Sequence, residues 1–498
     1  MAAAAKAPPD AKAAFALLLV LAGIGAILDV GFLGWILTPI CVLLGAFAIF
    51  RSPLRNTMLV LMFFAFTLEN PAEIPAYDEW RSPFFVIGAL LLTHWKTVVG
   101  GFWFFGGMDL MLATAGLTWY LKVRRQAPGI GTPRPMIRLA QLCYATIVFT
   151  WLVGKYHGGG DGGIALWQID RVMYLPAVFL LCQAAFTGPK DYIAVGKVIL
   201  AGAFLRSLQS MYVRAVVPAE IDKVTGESTL PYTTTHHDSM LFGAAILIVV
   251  TMIMQRVPKA TRLAMWLVPV VIGGMICNDR RLAYVQLILV FGALYLVTEQ
   301  NAIKRKLQKL ALLLVPVGLG YVAAGWNSAG GGIFKPVKIL RSALDSSTDE
   351  STAWRDLENF NLIFTIKQRP IVGTGYGHGF YEMWPMPQVA YPLERFIPHN
   401  SILGLWCYGG YVGFTGLTLL WVCGVYFAMR AYHHSKEPLE KAAALTAFGA
   451  TLIYYVQCFG DLGLGTFTGV FLIAPALAIA CKLAVKSGGW PVTPARAA

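Results

Sequence analysis

The chain has 498 residues, of which 57% are hydrophobic and only 13% are charged, and its mean hydropathy is +0.61. This composition excludes an ordinary soluble protein and indicates a polytopic membrane protein. In a soluble chain the formal net charge of +14 would suggest nucleic-acid binding. In a membrane protein the excess of lysine and arginine instead bears on topology, because basic loops stay in the cytoplasm.

Apolar stretches separated by polar loops recur along the whole chain. A bilayer core needs about 17 to 25 mostly apolar helical residues, and we also accept shorter runs that have polar ends. We therefore predict an all-α polytopic membrane protein with about 12–14 transmembrane helices, the first of them a retained span rather than a signal peptide. The candidate spans are Ala13–Leu28, Phe32–Phe50, Thr57–Leu68, Gly106–Leu121, Leu139–Val153, Val172–Phe186, Tyr192–Val213, Met240–Met254, Leu263–Cys277, Leu282–Thr298, Leu310–Ala324, Ser401–Met429, Ala442–Phe459 and Thr466–Cys481.

Lysine and arginine are concentrated in alternate loops, such as residues 122–138, 256–262 and 304–309. If the N-terminus lies in the cytoplasm, all of these loops are cytoplasmic, which is the positive-inside pattern. The C-terminus then lies in the cytoplasm too. A further apolar stretch, Phe84–Trp95, is too short to cross a bilayer comfortably, and we interpret it as re-entrant or interfacial.

The chain divides into three predicted parts. Residues 1–325 form a bundle of eleven spans, residues 326–400 form a large outer loop with short helices, and residues 401–498 add three spans and a cytoplasmic tail. Function is expected in a charged loop of this size, because the other outer loops of the bundle are shorter.

The cysteines do not suggest chemistry of their own. All eight lie within or at the ends of apolar segments, and no two form a Cys-x-x-Cys pair. This placement argues against a disulfide framework, a zinc site or a thiol nucleophile.

The short segment Asn278-Asp279-Arg280-Arg281 forms the outer turn between two closely joined spans. Two guanidinium groups at the membrane surface can present paired donors to a phosphate or diphosphate. The alternative is an interfacial turn in which Asp279 pairs with one arginine while the other extends its side chain to the interface.

Pro398-His399-Asn400 comes directly before the long span that begins at Ser401. The positive end of the helix dipole favours a neutral imidazole, which is the form that accepts a proton at neutral pH. The alternative is a helix cap formed by Asn400, with His399 playing no part.

Several other polar residues are predicted on the same side as His399. His236-His237-Asp238 could suggest a metal site, but one short cluster without a second ligand set is weak evidence. Interfacial polar caps are the alternative explanation for the arginines and for this cluster. The residues concerned are Arg171, Arg206, Arg214, His236 and His237.

Four stretches in the last third of the chain form an ordered set of motifs. They are Ser351–Arg355, Ile366–Gly377, Pro398–Leu403 and Tyr408–Gly413. Their order, spacing and common sidedness resemble the O-antigen ligase/polymerase family. Its members have an arginine in an outer-loop helix, a Pro-hydrophobic-hydrophobic-Gly-x-Gly turn, and His-Asn-x-x-Leu leading into a span with Gly-x-x-Gly.

The arginine turn is also similar to that family, in which it commonly reads Ser-Arg. Asp279 stands at the serine position here, which leaves open whether Arg280 or Arg281 matches. The similarity extends from Asp279 to Phe414, about a quarter of the chain; the rest agrees only in topology.

The resemblance implies transfer of a glycan from an undecaprenyl-diphosphate-linked donor to an acceptor hydroxyl on the periplasmic face of the bacterial inner membrane. The acceptor is lipid A-core in a ligase and another glycan in a polymerase. Membrane lipid and polysaccharide assembly proteins are the other expected partners, and nucleic acid is not.

For inverting transfer we predict His399 as the base and Arg280 and Arg281 as the cations that bind the diphosphate. No cofactor and no metal are expected, since the first outer loop is too short to carry acidic ligands. The predicted substrate-binding residues are Arg206, Arg214, Arg355, Asn400, Tyr376, His236 and His237.

Two other functions fit the composition. A flippase for lipid-linked oligosaccharides, or another secondary transporter, would usually show internal repeats and ionisable groups near the midplane. A scaffold of an envelope-polysaccharide complex would leave the arginine turn and His399 without a role.

Overall fold

The computed structural model describes residues 9–27, 31–68, 106–124, 129–216, 233–300, 302–327, 334, 337, 341, 350–386 and 395–491. Within them the protein is all-α, with sixteen helical elements and no strand. The predicted stretch Phe84–Trp95 lies outside the described residues. The helices are α1 (Pro9–Ile27), α2 (Gly31–Arg51), α3 (Leu54–Thr67), α4 (Gly107–Thr118, continued by the π-helical turn Trp119–Val123), α5 (Arg134–Tyr156), α6 (Gly162–Ala185), α7 (Asp191–Val216), α8 (Asp238–Met254), α9 (Ala260–Asn278), α10 (Arg281–Val297), α11 (Ala302–Gly325), α12 (Glu350–Gln368), α13 (Ser401–His434), α14 (Pro438–Gly460) and α15 (Phe467–Lys486).

Each predicted span coincides with one of these helices, and α12 lies in the predicted outer loop. Among the described helices, seven are long and apolar enough to cross a membrane: α5, α6, α7, α9, α13, α14 and α15. A bent pair within α11, Lys304–Leu310 and Val315–Gly325, would make an eighth span, and α3, α8 and α10 are shorter apolar helices. The prediction of an all-α, multi-pass membrane protein is therefore confirmed.

The helices extend beyond the apolar segments that predicted them, most clearly in α6. This helix begins ten residues before the predicted start at Val172. The side chain of Asp161 caps it by accepting a hydrogen bond from the Ile164 N–H at 2.8 Å. The added turns carry Gln168 and Arg171, so that polar side chains are placed above the apolar part of the helix.

Helix α15 forms the centre of the bundle. Every residue from Thr468 to Val485 is buried, as is usual for a helix that is apolar on all sides. Helices α3, α6, α13 and α14 pack around it. Helices α13 and α15 run in one direction and α14 runs in the other, so α13 and α15 begin at the same end of the bundle. We call the end where α13 and α15 begin the site end, and the other the opposite end.

Helix α13 is kinked at Gly410, where φ is +56°. A Cβ at this position would lie 2.3 Å from the backbone of Ile371. The kink frees backbone groups that bond the segment after α12: Tyr411 N donates to Pro370 O at 2.8 Å, and Gly375 N donates to Tyr408 O at 2.9 Å. Glycine is required here because it tolerates both the positive φ and the close approach.

Candidate functional site

Helix α12 lies across the site end and presents one polar face to the bundle. Trp354, Glu358, Asn361 and Thr365 follow one another at spacings of three or four residues, which places them on the same face. Asn361 is fully buried, and its side chain bonds the backbone of Met383 and Trp384 at 2.8–3.1 Å. The helix is thus fixed in position above the start of α13.

His399 is held by a buried carboxylate on this face. Both carboxylate oxygens of Glu358 accept from the His399 backbone N–H at 3.1 Å, and Oε1 lies 3.3 Å from the imidazole Nδ1. Because an ionised carboxylate only accepts hydrogen bonds, this contact selects the tautomer with hydrogen on Nδ1. The lone pair then lies on Nε2, which has no hydrogen-bond partner among the described residues, and the side chain is 27% exposed.

Two neighbours complete the surroundings of His399. The Trp354 ring meets the imidazole edge to face, with centroids 4.8 Å apart. Asn400 caps α13 by accepting from the Leu403 N–H at 3.1 Å, and its amide donates to Asn359 Oδ1 at 3.0 Å. Asn400 thus caps the helix, as the alternative interpretation expected. His399, however, also has a partner of its own, the Glu358 carboxylate.

Asp461, between α14 and α15, connects several of the predicted residues. Its carboxylate lies 3.6 Å from His236 Nε2 and 3.7 Å from an Arg355 Nη atom. The Asp461 carbonyl accepts from Ser401 Oγ at 3.4 Å, and Arg355 also donates to Gly460 O at 3.0 Å. Asp461 therefore joins α12, the start of α13 and the segment before α8.

Charge and burial oppose each other at Asp461. Burial by itself would raise the pKa of this carboxyl, but the neighbouring His236 and Arg355 outweigh that effect and hold the pKa well below its ordinary value. The carboxylate therefore stays ionised. It is available at neutral pH to orient Arg355 and His236.

His237 lies beside His236 with ring centroids 3.9 Å apart, and its Nε2 lies 2.7 Å from the Leu462 carbonyl oxygen. Burial lowers the pKa of His237 well below its ordinary value, and the charges of His236 and Arg171 act in the same direction. A neutral His237 donates to this carbonyl and helps to hold the loop that carries Asp461.

Arg206 lies below this cluster, inside the bundle. It is fully buried, and its Nε donates to Asp238 Oδ2 at 2.8 Å. One of its Nη atoms donates to Gln209 Oε1 at 3.0 Å and lies 3.4 Å from Thr67 O. Arg206 is thereby held within the bundle. Its partner Asp238 directly follows His237 in the sequence, so Arg206 lies close to the cluster.

The arginine turn lies next to the same cluster. Asp279 has a left-handed backbone, with φ of +50°, and Arg280 precedes the first turn of α10. The Asn278 side chain bonds the backbone of Thr234 and Thr235 at 3.1–3.2 Å. This anchors the turn to the segment that carries His236.

A second contact places the turn beside Arg355. A Cβ on Gly460 would lie 2.8 Å from Leu282, the residue after Arg281, and Gly460 O is the acceptor for Arg355. Arg281 is exposed and Arg280 is half-buried. The exposed Arg214 lies one turn beyond Ser210 on α7, and the Ser210 hydroxyl donates to Gly274 O of α9 at 3.0 Å, so Arg214 lies on the rim near this turn.

Tyr376 lies in the wall of the site. It is 3% exposed, and its backbone N–H donates to Thr150 O at 3.2 Å. Its side chain lines a cavity of about 40 Å³ together with Arg171, Pro398 and Ser401. The glycine-rich loop that contains it is tightly turned, with positive φ at Gly373, Gly375 and Gly377.

The structure brings five predicted residues into one connected cluster: His399, Asn400, Arg355, His236 and His237. Arg280 and Arg281 adjoin it, whereas Arg206 lies beneath it, Tyr376 in its wall and Arg214 on its rim. Sequence reasoning missed Glu358 and Asp461. The sequence contained a feature that could have identified each of them. Glu358 lies on the same helix face as Trp354, four residues later, and Asp461 is the one acidic residue between α14 and α15.

Compared with known proteins, the chain matches no family model and no curated protein sequence. Among the described residues, no group of three histidine, cysteine, aspartate or glutamate side chains is placed to hold a metal ion. Fold and site together define the class as an all-helical, multi-pass membrane protein. Its polar cluster lies at one end of the helix bundle.

Proposed function

We propose that the protein is a membrane-embedded glycosyltransferase of the O-antigen ligase/polymerase type. The observation that carries this proposal is the contact between His399 and Glu358. A carboxylate on Nδ1 makes Nε2 the basic nitrogen of the imidazole, which is the arrangement of a general base. The arginines around it supply positive charge for an anionic leaving group.

The proposed reaction is a single displacement. The acceptor hydroxyl oxygen attacks the anomeric carbon, the bond between that carbon and the diphosphate oxygen breaks, and undecaprenyl diphosphate leaves with the electron pair. His399 Nε2 takes the hydroxyl proton. Arg280 and Arg281 stabilise the charge that develops on the diphosphate, and Arg355 is oriented for the same task by Asp461.

The proposal includes an orientation and a set of partners. The protein spans the bacterial inner membrane 12–14 times, with both termini in the cytoplasm and the site end in the periplasm. The donor is an undecaprenyl-diphosphate-linked glycan, and the acceptor is lipid A-core or a glycan. Transfer is expected to need no metal and no other cofactor.

The direct test uses the purified full-length protein with an undecaprenyl-diphosphate-linked glycan and an acceptor, and measures release of undecaprenyl diphosphate. We expect His399→Gln to lower kcat by about 10²- to 10⁴-fold. His433→Gln is the matched control, since His433 is exposed at the opposite end. Full transfer by the His399 variant would contradict the proposed base, and loss of activity with EDTA that magnesium restores would contradict metal-free transfer.

Deletion of the gene separates the two acceptors. Uncapped lipid A-core with accumulated lipid-linked polymer indicates a ligase, whereas single repeat units indicate a polymerase. Transport of the lipid-linked glycan across vesicles without any transfer would instead favour the flippase and contradict the enzyme.

A further inference from the structure

A second cavity lies away from the site, between α3, α4, α5 and α6. Its volume is about 1390 Å³, larger than the roughly 300–1,000 Å³ that is usual for drug-sized ligands. The cavity extends along α4 from Asp109 to Lys122. Because thirteen helical residues rise by about 20 Å, the cavity is about that long. Apolar side chains such as Leu110, Met173 and Leu180 line most of this length.

Basic side chains line the part of the cavity at the opposite end of the bundle. They are Arg51, Arg55, Lys122, Arg124 and Lys482. Two of these cations are paired with carboxylates, since Arg51 contacts Asp10 and Arg55 contacts Asp191, each at 2.6 Å. The other three, Lys122, Arg124 and Lys482, form no such pair with any described carboxylate.

Lys122 and Arg124 are exposed and contact neutral groups. The Lys122 ammonium donates to Phe50 O and lies 3.7 Å from the centroid of the Phe50 ring. The Arg124 guanidinium lies 5.2 Å from the centroid of the Tyr120 ring. Within the described ranges neither side chain forms an ion pair.

Lys482 is the third of these cations, and it is only 4% exposed. Its ammonium donates to Ile130 O at 2.7 Å and to Thr132 Oγ1 at 3.0 Å, and no ion pair joins it to any other described residue. Asp191 acts on it electrostatically but is itself paired with Arg55, and a buried charge without an ion-pair partner of its own is costly. An anion beside it would reduce that cost.

The other end of the cavity has the opposite character. Asp109 lines it there, and the Tyr174 hydroxyl lies within hydrogen-bond distance of both the Asp109 and the Asp170 carboxylates, which share its single hydrogen. Acidic side chains thus lie at this end and the cations without ion pairs at the other, so an anionic group is favoured at the end that holds the cations. The charge difference gives the cavity a direction for an amphipathic ligand.

We propose that this cavity binds an anionic phospholipid, with its phosphate among Lys122, Arg124 and Lys482 and its acyl chains along α4. Basic pockets between transmembrane helices on the cytoplasmic side are typical sites for anionic lipid headgroups. The proposed phosphate position is separate from the proposed transferase site, because Lys122, Arg124 and Lys482 line the part of the cavity at the opposite end from His399. Its occupant is a structural lipid of the membrane rather than the glycan donor.

The test uses the full-length protein in detergent, with phosphatidylglycerol and phosphatidylcholine as probes, and measures retained lipid by native mass spectrometry and Tm by thermal unfolding. We expect phosphatidylglycerol to bind preferentially and to raise Tm. Lys122→Gln combined with Arg124→Gln should weaken this binding about tenfold or more. Lys436→Gln removes an exposed charge at the same end but away from the cavity, and it should bind as the unsubstituted protein does.

A second variant tests the part of the cavity that takes the chains. Gly116 lines it, and a Cβ there would have no neighbour within 4 Å, so Gly116→Leu extends a side chain into the cavity and should also reduce phosphatidylglycerol binding. Equal binding of both lipids, unchanged binding in both variants, or the same Tm gain from millimolar inorganic phosphate alone would overturn the proposal.

Discussion

At the scale of single residues, the site depends on how one carboxylate holds one imidazole. Glu358 is fully buried and uses both oxygens on His399. His399 was predicted from its place before a span, but Glu358 is 41 positions earlier in the chain. Sequence periodicity predicts which residues share a helix face, but not which distant residue that face contacts. The contact between Glu358 and His399 is therefore seen only in the folded protein.

Glu358→Gln should lower kcat and leave the KM for the donor nearly unchanged. The glutamine amide can donate to Nδ1, which would move hydrogen to Nε2 and leave the base in the wrong tautomer. We expect a loss of about 10- to 100-fold, smaller than the 10²- to 10⁴-fold that general base catalysis typically contributes, because the imidazole itself is still present. Steady-state kinetics of the purified variant measure the split between kcat and KM.

Asp356→Asn provides the matched control for that variant. It makes the same change of acid to amide on the same helix, at an exposed position, and should retain full activity. A rise in the KM of the Glu358 variant with kcat intact would argue against positioning of the base.

His237 predicts a dependence of stability on pH. Its pKa in the folded protein lies well below the ordinary value, so the unfolded chain binds the proton more strongly. Stability from the neutral histidine is present above the unfolded pKa of about 6.5 and decreases as the pH falls below it. We therefore expect the Tm in detergent to fall from about pH 6.5 downward.

His237→Gln should remove this loss, since glutamine keeps a donor for Leu462 O but does not titrate. His433→Gln, at an exposed position, should keep it. A Tm that falls equally with pH in both variants would show that other groups control acid stability. Asp461 contributes separately at lower pH, because its folded pKa is depressed and its stabilising charge is lost only in stronger acid.

At the scale of helices, hydropathy predicted where the elements lie but not how they end. Apolar counting located a helix at each predicted segment, and seven of the described helices, or eight with the bent pair in α11, are long and apolar enough to cross a bilayer. It placed the start of α6 at Val172, since Gln168 and Arg171 interrupt that run. The kink at Gly410 was also missed, because its cause is the backbone of Ile371, which is distant in sequence.

The contact between α5 and the glycine-rich loop gives a prediction at this scale. A Cβ on Gly154 would lie 1.8 Å from Tyr376 O, so Gly154→Ala must displace the loop. We expect a loss of stability of about 1–3 kcal/mol, as for an overpacked core, together with reduced transfer. Thermal unfolding in detergent measures the first effect and the donor assay the second.

Gly292→Ala is the control for that substitution. Gly292 lies within α10, where a Cβ would meet nothing within 4 Å, and alanine favours the helix by about 1 kcal/mol over glycine. An equal loss of stability in both variants would indicate a general sensitivity of the helices to alanine rather than a contact at Gly154.

At the scale of the whole molecule, the two ends of the bundle differ in charge and in structure. The site end carries α12 and the polar cluster, and the opposite end carries the basic loops around Lys122, Lys259 and Lys436. The positive-inside pattern predicts from the loops alone that the opposite end faces the cytoplasm, because that pattern depends on composition rather than on packing. The cluster itself required the fold, since its members come from five separate segments of the chain.

The orientation in the membrane is predicted by the same charges. In right-side-out vesicles, a membrane-impermeant maleimide should label Lys367→Cys, which is exposed on α12, and should not label Lys436→Cys. In inside-out vesicles the pattern should reverse. The unsubstituted protein gives the background, which should be low because six of its eight cysteines are buried. Labelling of Lys436→Cys from the outside would place the basic end in the periplasm, contrary to the positive-inside pattern, and would leave the proposed transferase site facing the cytoplasm.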